Sequence, residues 1–199
     1  MKRLLLCMGL LIAAATFLSA QPGSQSGPPP GGMPSAVHHQ GPPVSPAATE
    51  SVTLAGKAIS IAYSSPGVKG RAGHIFTPDG LISKDPHYPV WRGGANAATT
   101  LHTAADLEIA GLKVPKGDYT LFVDISNPKE WFLIINKQTG QWGLAYDKSQ
   151  DLGKIKMTMA TPPELVENLK YTLADLGGGK GRLTLAWENE SASVPIAVH

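Results

Sequence analysis

The stretch Tyr119-Thr-Leu-Phe-Val-Asp-Ile125 decides the fold class, because large apolar residues occupy every second position in it. Alternation with a period of two is typical of a β-strand with one buried face. A turn signal precedes it: Pro115-Lys-Gly117 combines a proline, which fixes φ, with a glycine, which allows a positive φ. We therefore predict a β-hairpin in which this turn separates residues 107–114 from residues 118–125.

The same alternation recurs along the chain between turn residues. The run Gly177-Gly-Gly-Lys-Gly181 predicts another hairpin turn, and the alternation over residues 169–173 predicts a strand from about Asn168. Short strands at regular spacing predict a mainly β fold, an antiparallel β-sandwich or jelly-roll-like single domain. The other alternating apolar residues are Ile59, Ile61, Tyr63, Trp131, Leu133, Ile135, Ile155, Met157, Met159, Leu183, Leu185, Trp187, Val194, Ile196 and Val198.

The N-terminus has the pattern of a signal peptide. Lys2 and Arg3 precede an apolar run over residues 4–18, and Ser19-Ala20 supplies small residues for cleavage before Gln21. We predict a cleaved signal peptide over residues 1–20 and a periplasmic or secreted protein of a bacterial type. The run is short for a bilayer-spanning helix, and we expect no membrane span in the mature chain.

Cleavage changes the chemistry that the chain can carry. It takes the formal net charge from +2 to zero, and a near-neutral chain is a poor partner for nucleic acid. It also removes Cys7, the only cysteine, and with it any disulfide or thiol chemistry. We expect no cofactor and assign no metal site.

A change of composition divides the mature chain. Residues 21–50 are dense in Pro, Gly, Ser and Gln and contain almost no large apolar residue, which predicts a disordered spacer. The alternating strands begin after it. We therefore predict a β domain over residues 51–199.

The most distinctive candidate site is Tyr88-Pro-Val-Trp-Arg-Gly-Gly-Ala-Asn96. Arg92 offers a five-donor fork that suits carboxylate or phosphate, and Asn96 can both donate and accept. Trp91 could stack on a small anionic or sugar-like ligand. The alternative is structural: Arg92 and Asn96 would fix a loop by bonding backbone carbonyls.

Histidines and aspartates raise a catalytic alternative. His74, Asp79, Asp85 and His102 would act as bases or bind zinc if the fold brought them together. No pair has a recognisable ligand spacing, and no nucleophile motif is present, so we assign no catalytic residue. His102 shares the face of a probable strand with Thr100 and is kept as a ligand-binding candidate.

Aromatic residues complete the candidates. Trp142 follows a turn glycine and is a candidate for the surface, and Tyr146 lies just beyond it. Exposed aromatics can stack on sugars or anchor protein interfaces. Trp131 and Trp187 alternate in phase with apolar neighbours, so we predict them in the core.

Several segments occur together and in order. They are Val68-Lys-Gly-Arg71, Val90-Trp-Arg-Gly-Gly-Ala-Asn96, Val114-Pro-Lys-Gly-Asp-Tyr-Thr-Leu-Phe122, residues 131–137, Gln141-Trp-Gly143, residues 183–187 and Ser193-Val-Pro195. Taken together over residues 58–198, they resemble the exported bacterial family catalogued as domain of unknown function 2911. The resemblance implies a compact exported β domain and no established activity. Many members carry a glutamate where this chain has Ala97.

Three functions remain open from the sequence. The first is a non-catalytic binding module for a small molecule, a glycan or an envelope partner. The second is an exported hydrolase that uses a His/Asp cluster within residues 74–102. The third is a structural envelope protein.

Overall fold

The structure is a computed structural model that describes residues 45–199. The predicted signal peptide and most of the predicted spacer lie outside the described residues. The described chain is mainly β, with two antiparallel sheets packed together as a β-sandwich, which confirms the predicted fold class. None of the helices within residues 45–199 has the length and apolar character that a membrane crossing requires.

Strands and two short 3-10 helices follow one another along this part of the chain. The helices are Ile82–Lys84 and Lys148–Gln150. The strands are β1 (Ala47–Leu54), β2 (Lys57–Ser64), β3 (Val90–Trp91), β4 (Thr99–Thr103), β5 (Leu107–Ile109), β6 (Leu112–Val114), β7 (Gly117–Asn127), β8 (Glu130–Asn136), β9 (Asp151–Lys156), β10 (Thr158–Ala160), β11 (Val166–Gly177), β12 (Lys180–Glu188) and β13 (Glu190–Val198).

Each sheet combines strands from distant parts of the chain. The first sheet has the order β1-β2-β4-β7-β8-β9, with β3 paired to β7. The second has the order β11-β12-β13-β5-β6, with β10 paired to β13. Two long connections matter for the site: residues 65–89 join β2 to β3, and residues 137–150 join β8 to β9.

The core lies between the sheets, and the alternating residues fill it. Leu121, Leu133, Leu185 and the predicted core residues Trp131 and Trp187 are all buried, as the period of two predicts.

Strand β7 departs from the prediction of one buried face, because Thr120 and Phe122 on its other face are buried as well. The cause is the connection over residues 137–150, which covers that face. The Phe122 ring packs at 4.8 Å, between centroids, from the ring of Tyr146. The hydroxyl of Thr120 donates to the backbone O of Gln138 at 2.7 Å.

One predicted hairpin turn is confirmed and another is wrong. Gly178 and Gly179 join β11 to β12 with φ of 61° and 75°, the backbone of a type I′ turn. No hairpin forms at Pro115-Lys-Gly117. The strands on either side of it, β6 and β7, lie in the second and the first sheet. Residues 107–114 instead fold into their own hairpin, turning at Ala110 and Gly111 with φ of 47° and 92°. Ala-Gly is a weak turn signal, and the long-range pairing of β5 with β13 selects this arrangement.

Two strands begin earlier than the sequence predicts. Strand β1 begins at Ala47, four residues before the predicted domain start at Ser51. Residues 47–50 contain no large apolar side chain, and their pairing with β2 makes them a strand. Strand β11 begins at Val166, two residues before the predicted Asn168.

Candidate functional site

A cavity of about 370 Å³ opens where the connection over residues 65–89 meets the end of β12. Its other sides are lined by Ser45, Trp91, Arg92, Gly94, Ala95 and Leu144. We call it the Arg92 cavity. Its charged wall residues are Lys69, Arg71, Lys84, Asp85 and Arg92.

The backbone beside Arg92 is fixed by close contacts. Gly93 has a φ of 60°, and its carbonyl accepts a hydrogen bond of 2.8 Å from the hydroxyl of Tyr171 on β11. The indole N–H of Trp91 donates to the backbone O of Gly94 at 3.2 Å. Gly143 lies so close to Arg92 that an added Cβ would collide with the arginine Cδ. Glycine is therefore required at position 143 to let this segment cover the arginine.

The guanidinium of Arg92 keeps unused bonding capacity. Within residues 45–199 it makes one hydrogen bond, from Nη1 to the backbone O of Asn96 at 3.3 Å. Its Nε is buried and has no partner there. Burial lowers the pKa of Arg92, and the negative charge of Asp85 opposes that shift. In the structural alternative, backbone carbonyls accept hydrogen bonds from Arg92 and so fix a loop. The bond to Asn96 engages only one of the five N–H donors of Arg92.

The other cations have different surroundings. Arg71 is committed to structure, because its Nε and Nη2 donate to the backbone O of Val68 and Gly67 at 2.9 and 2.7 Å. Lys69 and Lys84 are exposed at the rim. Of the two partly buried arginines on the wall, Arg71 is engaged by backbone carbonyls, which leaves Arg92 as the candidate for a ligand, with the two lysines at the mouth.

Asp85 is the one carboxylate on the cavity wall. Its Oδ1 accepts a hydrogen bond from the backbone N of His87 at 3.0 Å. In the described part of the chain, no ion pair within 4.0 Å joins Asp85 to a cation. The cavity thus holds two opposite charges, on Asp85 and Arg92, that do not contact each other.

Aromatic rings form the apolar floor. Trp91 and Trp187 stack at 5.9 Å between centroids with an interplanar angle of 23°. Phe76 packs against both rings, at 5.7 and 5.8 Å. Trp187 is 2% exposed, and its Nε1 is a second buried donor without a partner among the described residues. Leu81, Ile82 and Leu144 complete the apolar wall.

The other sequence candidates lie outside this cavity. Asn96 has a φ of 57°, and its Nδ2 donates to the backbone O of Ser45 at 3.1 Å. It therefore holds the start of the described chain against the domain. Trp142 is 56% exposed and pairs through its backbone with Ala97.

Tyr146 is tied to the sheet. Its hydroxyl donates to Oδ2 of Asp151 at 2.7 Å, and its ring packs on Phe122. Burial and the hydrogen bond to Asp151 raise the pKa of Tyr146 above its ordinary value. Its contacts are those of a side chain that fixes the connection over residues 137–150.

His102 is exposed on β4, and its Nδ1 lies 2.7 Å from Oδ1 of Asp118 on β7. Ser60 on β2 is its cross-strand neighbour on the other side. A Ser-His-Asp order is that of a hydrolase triad, which also needs free donors for an oxyanion. Here the three residues lie within a hydrogen-bonded ladder of three strands, whose backbone N–H groups are engaged in pairing.

The histidine and aspartate residues of the catalytic alternative are dispersed. Of His74, Asp79, Asp85 and His102, only Asp85 borders the Arg92 cavity. Interactions with Thr77 and with its own backbone lower the pKa of Asp79, and the nearby His74 contributes least. No group of three or more His, Cys, Asp or Glu side chains within residues 45–199 is placed to hold a metal ion.

Sequence reasoning missed Lys69, Lys84 and Trp187 as wall residues of a cavity. Residues 65–89 show no periodicity, so their folding over the end of β12 has no local signal. The segment Val68-Lys-Gly-Arg71 offered the one clue, since it places two cations around a glycine.

Comparison with known proteins gives one match. The family described as "Protein of unknown function (DUF2911)" matches residues 45–196. No curated protein and no solved structure matches the chain.

Proposed function

The chain belongs to the DUF2911 family, whose description assigns no function, and we propose that its domain is a non-catalytic binding module for a small anionic molecule. The Arg92 cavity is the proposed site. Among a small molecule, a glycan and an envelope partner, a concave cavity with a partly buried cation favours the small molecule.

One observation carries the proposal: the partly buried guanidinium of Arg92 has a single hydrogen bond and a partnerless Nε within the described chain. A buried donor without a partner costs about 1–3 kcal/mol, and native proteins avoid this. A carboxylate or phosphate would supply acceptors in the geometry that the arginine fork prefers. Lys69 and Lys84 at the rim would add attraction for an anion.

Binding has more support than catalysis. The walls of the Arg92 cavity carry one carboxylate, Asp85, and no histidine, so an acid–base pair is not assembled there. A purely structural envelope role remains as the alternative that the experiment below separates from binding.

We also propose that the protein acts outside the cytoplasm. The support is the N-terminal pattern of Lys2 and Arg3, the apolar run over residues 4–18 and the small residues Ser19-Ala20.

The test of binding is a thermal-shift and calorimetric screen of the purified protein against small carboxylates, phosphate and sulfate. We expect at least one anion to raise the Tm, because a ligand at about 100 times its Kd stabilises the folded state by about 2.7 kcal/mol. Arg92→Ala should weaken binding by about tenfold or more, since charge-assisted hydrogen bonds are lost. Arg92→Lys keeps the charge and loses the fork, so its affinity should fall between the two.

Arg182→Ala is the matched control, because Arg182 is exposed on β12. It should bind like the unmodified protein. If no anion shifts the Tm, or if Arg92→Ala binds as tightly as the unmodified protein, the proposal is wrong and the structural role is favoured.

A further inference from the structure

The charges of the Arg92 cavity show a feature that a simple anion site does not need. Asp85 and Arg92 both border the cavity, and no ion pair joins them. In the described chain the Asp85 carboxylate accepts one hydrogen bond, from the backbone N of His87. A carboxylate in a site for anions weakens their binding by like-charge repulsion, unless the ligand also carries a positive group.

Apolar residues line the same cavity as these charges. Leu81, Ile82 and Leu144 line it together with the stacked rings of Trp91 and Trp187. The connection over residues 65–89 supplies the first two, and His87 holds the segment of Leu144 in place by donating from Nε2 to its backbone O at 2.9 Å. A ligand that fills this volume must therefore bury apolar surface as well as carry charge.

We propose that the Arg92 cavity binds a free α-amino acid with an apolar side chain, an inference that rests on the proposed anion-binding function. The carboxylate of the ligand would bond to Arg92, its ammonium group to Asp85, and its side chain would pack against Leu81, Ile82 and Leu144. The two ligand charges are separated by one carbon atom. Two opposite charges on one small ligand suit two opposite protein charges that line one cavity and form no ion pair.

Other small anions fit these walls less well. Inorganic phosphate has no apolar part to bury and is repelled by Asp85. A neutral sugar presents hydroxyl groups to Leu81, Ile82 and Leu144, which offer no hydrogen-bond partners. Lys69 and Lys84 are exposed at the rim and strengthen attraction for any anion without distinguishing among them.

The test compares ligands that differ by one charged group. L-leucine carries both charges, isocaproate lacks the ammonium group, and isoamylamine lacks the carboxylate. Calorimetry on the purified protein should give L-leucine the highest affinity, with isocaproate weaker by about tenfold or more because the bond to Asp85 is lost. Isoamylamine and inorganic phosphate should bind more weakly still.

Single substitutions test the role proposed for each charged residue of the cavity. Asp85→Asn should reduce the preference for L-leucine over isocaproate by about tenfold or more, because the ammonium partner is neutralised. Arg92→Ala should weaken both ligands. Glu164→Gln removes an exposed carboxylate outside the Arg92 cavity and should keep the preference. The Tm of each unliganded variant checks that it is folded.

The outcomes separate this inference from the proposed function. If isocaproate binds as tightly as L-leucine, or if Asp85→Asn keeps the preference, the amino-acid inference is overturned while anion binding stands. If phosphate binds more tightly than either, the inference also fails and the cavity is a phosphate site. If none of the four ligands binds, this inference fails, and the screen with the other anions decides the proposed function.

Discussion

Gly93 shows how a single residue positions the candidate site. Its φ of 60° lies in the left-handed region that favours glycine. A Cβ there would collide with the hydroxyl of Tyr171, which donates to the carbonyl of Gly93. The contact joins the segment that follows β3 of the first sheet to β11 of the second. It therefore fixes the backbone next to the proposed ligand-binding arginine.

We expect Gly93→Ala to lower the free energy of unfolding by about 2–4 kcal/mol, because left-handed strain of about 1–2 kcal/mol adds to the collision. Urea denaturation measures the change. Gly178→Ala is the matched control: its φ is 61° and open space surrounds it, so strain alone should remain.

A second variant isolates the collision in this prediction. Adding Tyr171→Phe to Gly93→Ala removes the hydroxyl and should recover part of the loss. The explanation by collision fails if Gly93→Ala and Gly178→Ala destabilise equally, or if Tyr171→Phe recovers nothing.

Among the elements, the hairpin of β11 and β12 has a turn that follows from local chemistry. Gly178 and Gly179 both have positive φ, as a type I′ turn requires. Beside the turn, Oδ1 of Asp175 accepts a hydrogen bond of 2.8 Å from the backbone N of Gly177. The hairpin therefore forms from a pattern that can be read directly in the sequence.

The preference of type I′ turns for Asn-Gly gives a prediction for this hairpin. Gly178→Asn should raise the free energy of unfolding by about 0.4–1 kcal/mol, because asparagine tolerates the left-handed region and restricts the unfolded chain. Gly178→Val should lower it, since a β-branched residue is strained there. Urea denaturation of both variants measures the free energy of unfolding. An asparagine variant as unstable as the valine variant would contradict the assignment of a type I′ turn.

At the scale of the whole molecule, distant parts of the chain build the Arg92 cavity. Asp85 comes from the long connection after β2, Leu144 from the connection after β8, and Trp187 from the end of β12. The two sheets must pack before these residues meet. Binding at the cavity should therefore depend on the complete domain rather than on one segment.

The proposed export is tested on the full-length protein. Expressed in a bacterial host with two membranes, the protein should appear in the periplasmic fraction or the medium, with Gln21 as its first residue by N-terminal sequencing. Ala20→Arg should block cleavage, because the site requires small residues. Recovery of the protein in the cytoplasm with its N-terminal segment intact would contradict the proposal.

Features that depend on neighbouring residues are predictable from the sequence, and features that depend on long-range pairing are not. The alternation of Leu183, Leu185 and Trp187 predicts strand β12, and these three residues are buried as expected. The hairpin at Pro115-Lys-Gly117 was predicted by the same logic and is wrong, because the neighbouring strands belong to different sheets. A turn with proline and glycine can reverse the chain within one sheet or lead it into another sheet. The strands with which its two neighbours pair determine which of these occurs.

By itself, the sequence determined the β class, most strands and the glycine turn of β11 and β12. These features depend on side-chain alternation and on φ, which are properties of neighbouring residues. The tertiary structure alone decided that β7 is buried on both faces and that Asp85, Arg92 and Trp187 border one cavity. Such proximity arises when sheets and long connections pack together, and no local pattern encodes it.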